Sequence, residues 1–168
     1  MPQQLGIGGS LILSDWKTLA KTPTEWTKIK HNDPRLDAFA SEVEKKYALP
    51  KGVIVGLKNA GERTDPGKVS PAGAKGIMQF TDSTLKLREG AFAHDVNNPF
   101  ASIDASGKYM QELIKENKGN VLAAVANYNG GPSQAKRVRM GKKPTAKETR
   151  EYVARIQDFM KQQNKNKS

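Results

Sequence analysis

Residues 56–80 read GLKNAGERTDPGKVSPAGAKGIMQF. The apolar run Val53 to Leu57 leads into Asn59, Ala60 and Gly61, and the helical pattern gives out at Glu62. The segment beyond Glu62 is rich in turn formers: Pro66, Gly67, Pro71, Gly73 and Gly76. A carboxylate at the end of a helix meets the negative pole of the helix dipole, a position that does not favour it. It reads either as a solvated acid beside a turn or as a proton donor at the floor of a cleft, with the loop folded over it. Glycosidic bond cleavage needs a carboxylic acid still protonated near neutral pH, and burial against apolar groups supplies one. The local residues leave both readings open.

Outward from this stretch the chain reads as helices. In DPRLDAFASEVEKKYALP, Asp33 can cap and Pro34 fits a first helical position. Leu36, Phe39, Val43 and Tyr47 then share a face. Pro50 is expected to open a second helix that runs to Glu62, and IMQFTDSTLKLRE a short third one. NPFASIDASGKYMQELIKEN carries Phe100, Ile103, Tyr109, Met110, Leu113 and Ile114 at helical spacing. NVLAAVANYN is a small-residue helix capped by Asn120 and ended by Gly130, Gly131 and Pro132. In TAKETREYVARIQDFMKQQ, Thr145 and Glu148 match a capping box ahead of an apolar face of Tyr152, Val153, Ile156, Phe159 and Met160. No segment alternates as a strand does, although a short irregular or β-like stretch is expected around residues 65–76. The fold class is therefore mainly α, with little or no β.

Three parts are expected. Residues 1–32 form an N-terminal arm with short helices, in which Ser14 can cap and Trp16 and Trp26 pack the arm onto the body or meet a carbohydrate. Residues 33–162 form the compact domain, and 163–168 a flexible tail. The start, MPQQLGIGGSLILSDWK, has no basic segment ahead of an unbroken apolar one, so it does not read as a signal peptide. No apolar stretch reaches the ~20 residues of a transmembrane helix.

The 168 residues carry a formal charge of +11, from 28 basic and 17 acidic side chains. Such a surface attracts polyanions without choosing among nucleic acid, anionic lipid and cell-wall polymer. The absence of cysteine excludes disulfides, thiolate nucleophiles and Cys-ligated metals. His31 and His94 stand far apart with no metal-binding pattern around them, no serine lies in G-x-S-x-G, and GIGGS (6–10) lacks the P-loop lysine. No RNP, helix-turn-helix or zinc-finger signature is present. No cofactor, no metal and no specific nucleic acid are expected. Carboxylates remain. Asp65, in TDPG, is explained by turn chemistry, and Glu148 by its capping box.

VSPAGAKGIMQF (69–80), NYNGGP (127–132) and ETREYV (148–153) follow Glu62 in the order and rough spacing of the lytic transglycosylases of the soluble-lysozyme (SLT) type, among the goose-lysozyme-like glycoside hydrolases. The resemblance runs from about Tyr47 to about Ile156, and SPAGAKGIMQF is its most specific part. It implies a lysozyme-like domain of packed helices around a sugar cleft. Glu62 matches the family's single acid/base. Met78 and Gln79 match its G-L-M-Q signature, Tyr128 and Asn129 its A-Y-N motif, Glu148 and Thr149 its E-T pair, and Tyr152 the tyrosine just after that pair. Thr64 is the candidate hydroxyl helper, because Arg63 stands where the family usually has Ser. The link from Glu62 to VSP is also one residue shorter than usual, and Asn127 replaces the usual Ala.

The resemblance implies cleavage of the β-1,4 bond between N-acetylmuramic acid and N-acetylglucosamine in peptidoglycan glycan strands, leaving 1,6-anhydromuramic ends. Two alternatives stand beside it: a goose-type muramidase that uses water, with Glu148 or Asp65 holding it, and an inactive basic module that binds cell wall or nucleic acid. The NAGER form of the helix end (59–63) resembles phage versions. The expected setting is thus a phage virion, with other virion proteins as partners and action in the host periplasm and wall. A lysis enzyme held in the host cytoplasm until release is the alternative.

Overall fold

The structure, a computed structural model, describes residues 28–81, 84 and 97–165. The expected helices around Ser14 and Trp26, and most of the segment 81–96, lie outside the described residues.

Helix α1 (Pro34–Lys46) starts as its sequence predicts: the Asp33 carboxylate accepts from the Arg35 N–H, and Pro34 has no N–H that would need a partner. Leu36, Phe39, Ala40 and Val43 are buried along one face. One acid of this helix is buried too. Glu44 accepts from the backbone N–H groups of Gly52 (2.8 Å), Ile54 (2.8 Å) and Val55 (3.0 Å). It thereby satisfies the open first turn of the next helix from another element. That helix, α2, begins at Val53, not at Pro50. It is α-helical only over Val53–Gly56 and continues as a π-helix over Leu57–Glu62.

Helix α3 (Pro99–Glu116) is capped by the Asn98 side chain, and α4 (Val121–Gly130) by Asn120. The chain then turns at Gly131 and at once starts α5 (Pro132–Arg139), a helix the sequence reading did not anticipate. Proline at a first helical position is its one local signal. Helix α6 (Lys147–Lys165) runs past residue 162, so the expected tail is helical at its start. Among the described residues there is no strand. Isolated antiparallel bridges join Val69 to Lys75 and Lys75 to Phe80, which accounts for the β-like character expected near residues 65–76. Ile77 to Gln79 form a tight turn rather than the start of a helix.

The core lies where α1, α2 and α3 converge, with Phe39 edge-on to Phe100 at 5.2 Å between ring centroids. Such a pair adds to the stabilisation from apolar burial alone. A polar anchor lies beside it. Lys58, fully buried, donates to the His31 carbonyl (2.5 Å), Asp37 Oδ1 (2.5 Å) and Asn59 Oδ1 (2.8 Å). Burial pulls its pKa down and Asp37 pulls it back up. This cluster fixes the π-helix against α1 and against the segment that precedes α1. Among the described residues no helix is long and apolar enough to cross a membrane.

Candidate active site

A π-helix holds its backbone by bonds to the fifth residue back and often marks a functional position. Here the Arg63 N–H returns to the Lys58 carbonyl at 3.0 Å, and Arg63 turns the chain out with φ 55°. Glu62 is thus the last residue before a forced change of direction, which sets its carboxyl at the floor of a cleft. The carbonyls a helix end leaves open are taken by side chains. The Thr64 hydroxyl donates to the Glu62 carbonyl (2.8 Å), and Arg155 donates to those of Ala60 (2.7 Å) and Gly61 (3.2 Å).

The cleft holds a cavity of about 250 Å³ lined by Glu62, Gln79, Tyr128, Asn129 and Glu148, with Ser70, Ala72 and Ala74 of the loop on one side. A second cavity of about 320 Å³ shares Tyr109, Tyr128 and Asn129 with it and reaches Gly131 and Pro132 at the start of α5. The two adjoin, so the cleft continues from Glu62 to the start of α5. Tyr128 stands in an aromatic wall, 5.4 Å from Tyr109 and 6.3 Å from Phe80 between centroids.

At the floor, the Tyr152 hydroxyl donates to Glu62 Oε2 at 2.5 Å. Burial drives the Glu62 pKa up to about 7. The Tyr152 hydrogen bond opposes that rise, the Glu148 charge adds to it and the Arg155 charge opposes it. Near neutral pH this carboxyl is therefore partly protonated, the state that proton donation requires. Burial, followed by the nearby Glu62 charge, holds both Tyr128 and Tyr152 well above an ordinary phenol, so both remain neutral donors.

The residues named from sequence divide into two groups. Glu62, Gln79, Tyr128, Asn129 and Glu148 come together on the cleft. Met78, Thr149, Tyr152 and Thr64 do not line it. Met78 is fully buried, and its carbonyl accepts from the Tyr128 hydroxyl at 2.8 Å, so the stretches 69–80 and 127–132 are bolted together through it. Thr149 is buried, and its hydroxyl donates to Asn129 Oδ1 at 2.7 Å, which leaves the Asn129 amide N–H groups for the cleft. Tyr152 is buried behind Glu62. Thr64 binds the backbone of Glu62 rather than its carboxyl.

Gln79 combines two roles. Its backbone is left-handed (φ 53°), and its Nε2 donates to the Gly76 carbonyl at 2.7 Å while the residue lines the cleft. Asp65, the rival carboxylate, is held by the His31 backbone N–H (2.9 Å) and ring Nδ1 (2.8 Å). The expected capping box is also replaced. Thr145 Oγ1 accepts from Gln134 Nε2 (2.8 Å), and Gln134 Oε1 takes the Ala146 N–H (3.1 Å) just before α6. Gln134 thus serves the α6 terminus, and Glu148 is left exposed at the cleft rim.

Two residues of the site escaped the sequence reading. Arg155 follows Tyr152 by three on α6 and so shares its face. Gly61 is required by close packing: a Cβ there would lie 2.8 Å from Tyr152 Cζ and 2.9 Å from Ile156 Cδ1. Among the described residues no three His, Cys, Asp or Glu side chains gather in a way that could hold a metal ion.

The described fold resembles the X-ray structure of an inactive mutant of lytic transglycosylase Slt from Pseudomonas aeruginosa. The TM-score is 0.65 at 20% identity, over 95% of this chain and 32% of that one. This chain thus spans about a third of that enzyme's length. A family model described as the transglycosylase SLT domain matches residues 39–152, which include Glu62 and every cleft residue named above. The match covers more than half of the sequence, and the chain belongs to the transglycosylase SLT domain family.

Proposed function

We propose that this protein is a peptidoglycan lytic transglycosylase that cleaves the bond between N-acetylmuramic acid and N-acetylglucosamine, with Glu62 as its single acid/base. The observation that carries this reading is the Glu62 carboxyl lining the cleft cavity, with its pKa raised to about 7 by burial. Protonated Glu62 donates to the glycosidic oxygen, and positive charge develops at C1 of the muramic sugar. The N-acetyl group of the substrate stabilises that state. The ionised Glu62 then removes the proton from the C6 hydroxyl of the same sugar. The C6 oxygen attacks C1 and closes the 1,6-anhydro ring, and Glu62 ends protonated as it began. No water is consumed. Gln79, Tyr128 and Asn129 line the groove and serve as sugar contacts in this scheme, while Tyr152 and Thr149 act through Glu62 and Asn129.

One observation favours a second reading, hydrolysis by a muramidase. Glu148 stands on the same cleft with its charge felt by Glu62, where an acid could hold water. Asp65 is unsuited to that task, being engaged by His31.

The test is release of soluble fragments from purified sacculi by the wild-type protein and by Glu62→Gln. Release by the wild type alone supports a Glu62-dependent enzyme. Tight binding without release supports the inactive wall-binding module. For the biological setting we propose a virion component that opens the wall at infection; the resemblance of NAGER (59–63) to phage forms supports it. Absence of the protein from purified particles would count against that setting and favour a lysis role.

A further inference from the structure

Arg155 lies outside residues 39–152, the span matched by the family model. It is nonetheless tied to the backbone that carries Glu62. Its Nε donates to the Ala60 carbonyl at 2.7 Å and a terminal nitrogen donates to the Gly61 carbonyl at 3.2 Å. Its guanidinium lies 5.8 Å from the Tyr152 ring centroid. Among the described residues no carboxylate forms an ion pair with it, whereas Asp33, Asp37, Asp65 and Asp104 each hold a cation. Its hydrogen bonds go instead to the two peptide groups immediately before Glu62.

We propose that Arg155 is a positioning residue for Glu62: its planar fork clamps the end of the π-helix onto α6, and its charge faces the Glu62 carboxyl across the Tyr152 ring. This rests on the reading of Glu62 as the acid/base. Three physical points carry it. First, a π-helix that ends in a left-handed residue leaves its last carbonyls without backbone donors, and Arg155 takes two of them. A cation there also suits the negative end of the helix dipole. Second, Tyr152 and Arg155 sit one turn apart on α6, so a single rigid helix face sets both the carboxyl's hydrogen bond and the backbone that carries it. Gly61 permits this approach because it has no Cβ to strike Tyr152. Third, the charged and titratable groups facing Glu62 are Tyr152, Glu148 and Arg155 from α6 and Tyr128 from α4. Arg155 is the cation in this set, and it opposes the upward push of burial and Glu148.

Geometry and charge can be separated by substitution. Lysine keeps the charge but cannot span two carbonyls with one planar group. Glutamine keeps a donor and loses the charge. The experiment compares wild type, Arg155→Lys, Arg155→Gln and Glu62→Gln by pH profiles of kcat and KM on soluble glycan chains, with melting temperatures for each. For Arg155→Gln we expect kcat to fall on the order of tenfold to a hundredfold, as a misplaced catalytic group implies. KM should stay near wild type, and the alkaline limb of the profile should move to higher pH. For Arg155→Lys the alkaline limb should return to its wild-type position while kcat recovers only in part. If Arg155→Gln does not fold, the Arg155→Lys profile decides: wild-type kcat in that variant overturns the clamp. An unmoved alkaline limb in a folded Arg155→Gln variant overturns the charge role. Wild type active and Glu62→Gln inactive, with both Arg155 variants indistinguishable from wild type, refutes this inference and leaves the acid/base reading standing. An active Glu62→Gln variant refutes the acid/base reading itself.

Discussion

Tyr152 donates its hydroxyl to Glu62 Oε2 at 2.5 Å across ninety residues of sequence, joining the end of the π-helix to the second turn of α6. The bond selects one orientation of the carboxyl and opposes the rise in pKa that burial imposes. An acid/base needs both: an oxygen fixed toward the substrate and a proton affinity near the working pH.

Tyr152→Phe removes the hydroxyl and keeps the ring. Because the hydrogen bond lowers the Glu62 pKa, its loss raises it further, and the alkaline limb of activity should shift to higher pH. Stability should change by only about 1 kcal/mol, the net worth of one hydrogen bond. A pH–rate profile with a melting curve checks both, and an unchanged limb would mean that Tyr152 does not govern Glu62.

Glu62→Gln should stabilise the fold at pH 8 and have little effect at pH 5. The folded pKa, about 7, lies above the ordinary carboxyl value of 4.5. Between those values the folded state holds a proton that the unfolded state has lost, so stability falls as pH rises through the window. Above pH 7 the buried carboxylate costs up to about 3 kcal/mol, less whatever the solvent in the cleft screens. Denaturant midpoints at the two pH values measure the difference.

Gly61→Ala places a methyl 2.8 Å from Tyr152 Cζ. Either the ring retreats from Glu62 or α6 shifts, and overpacking of this kind costs about 1–3 kcal/mol. The expected result is a lower melting temperature together with activity reduced beyond what the loss of folded protein explains. Normal activity in the folded fraction would show that the spacing between α2 and α6 is not critical.

Glu148→Gln separates the two catalytic readings. The Glu148 charge raises the Glu62 pKa, so its removal should shift the alkaline limb slightly to lower pH while anhydro-product formation continues. Abolished turnover would instead identify Glu148 as an acid that holds water.

Much of this was legible in the sequence because it depends on local chemistry. Asp33 with Pro34, Asn120 and the apolar stripe of α1 each announce themselves by capping chemistry or by periodicity. Glu62 and the three stretches that follow it marked the cleft residues Glu62, Gln79, Tyr128, Asn129 and Glu148. The illegible features depend on tertiary contact. A π-helix has no sequence periodicity distinct enough to separate it from an α-helix over six residues, so α2 read as one uniform helix. Glu44 and Lys58 look like surface charges until the chain folds back over them. Thr145 and Glu148 have capping-box spacing, but Gln134, eleven residues before Thr145, supplies the side chain at that terminus instead. Motif membership also gave no facing: Met78 and Thr149 are buried and hold Tyr128 and Asn129 rather than lining the cleft.

The chemistry of the new chain ends tests the role of Glu62 most directly. Purified peptidoglycan digested by the wild-type protein and by Glu62→Gln would be separated and weighed by mass spectrometry. Ring closure driven by Glu62 predicts 1,6-anhydromuramic ends from the wild type and none from the variant. Reducing ends heavier by one water would contradict the transglycosylase, and anhydro ends from Glu62→Gln would contradict the role of Glu62.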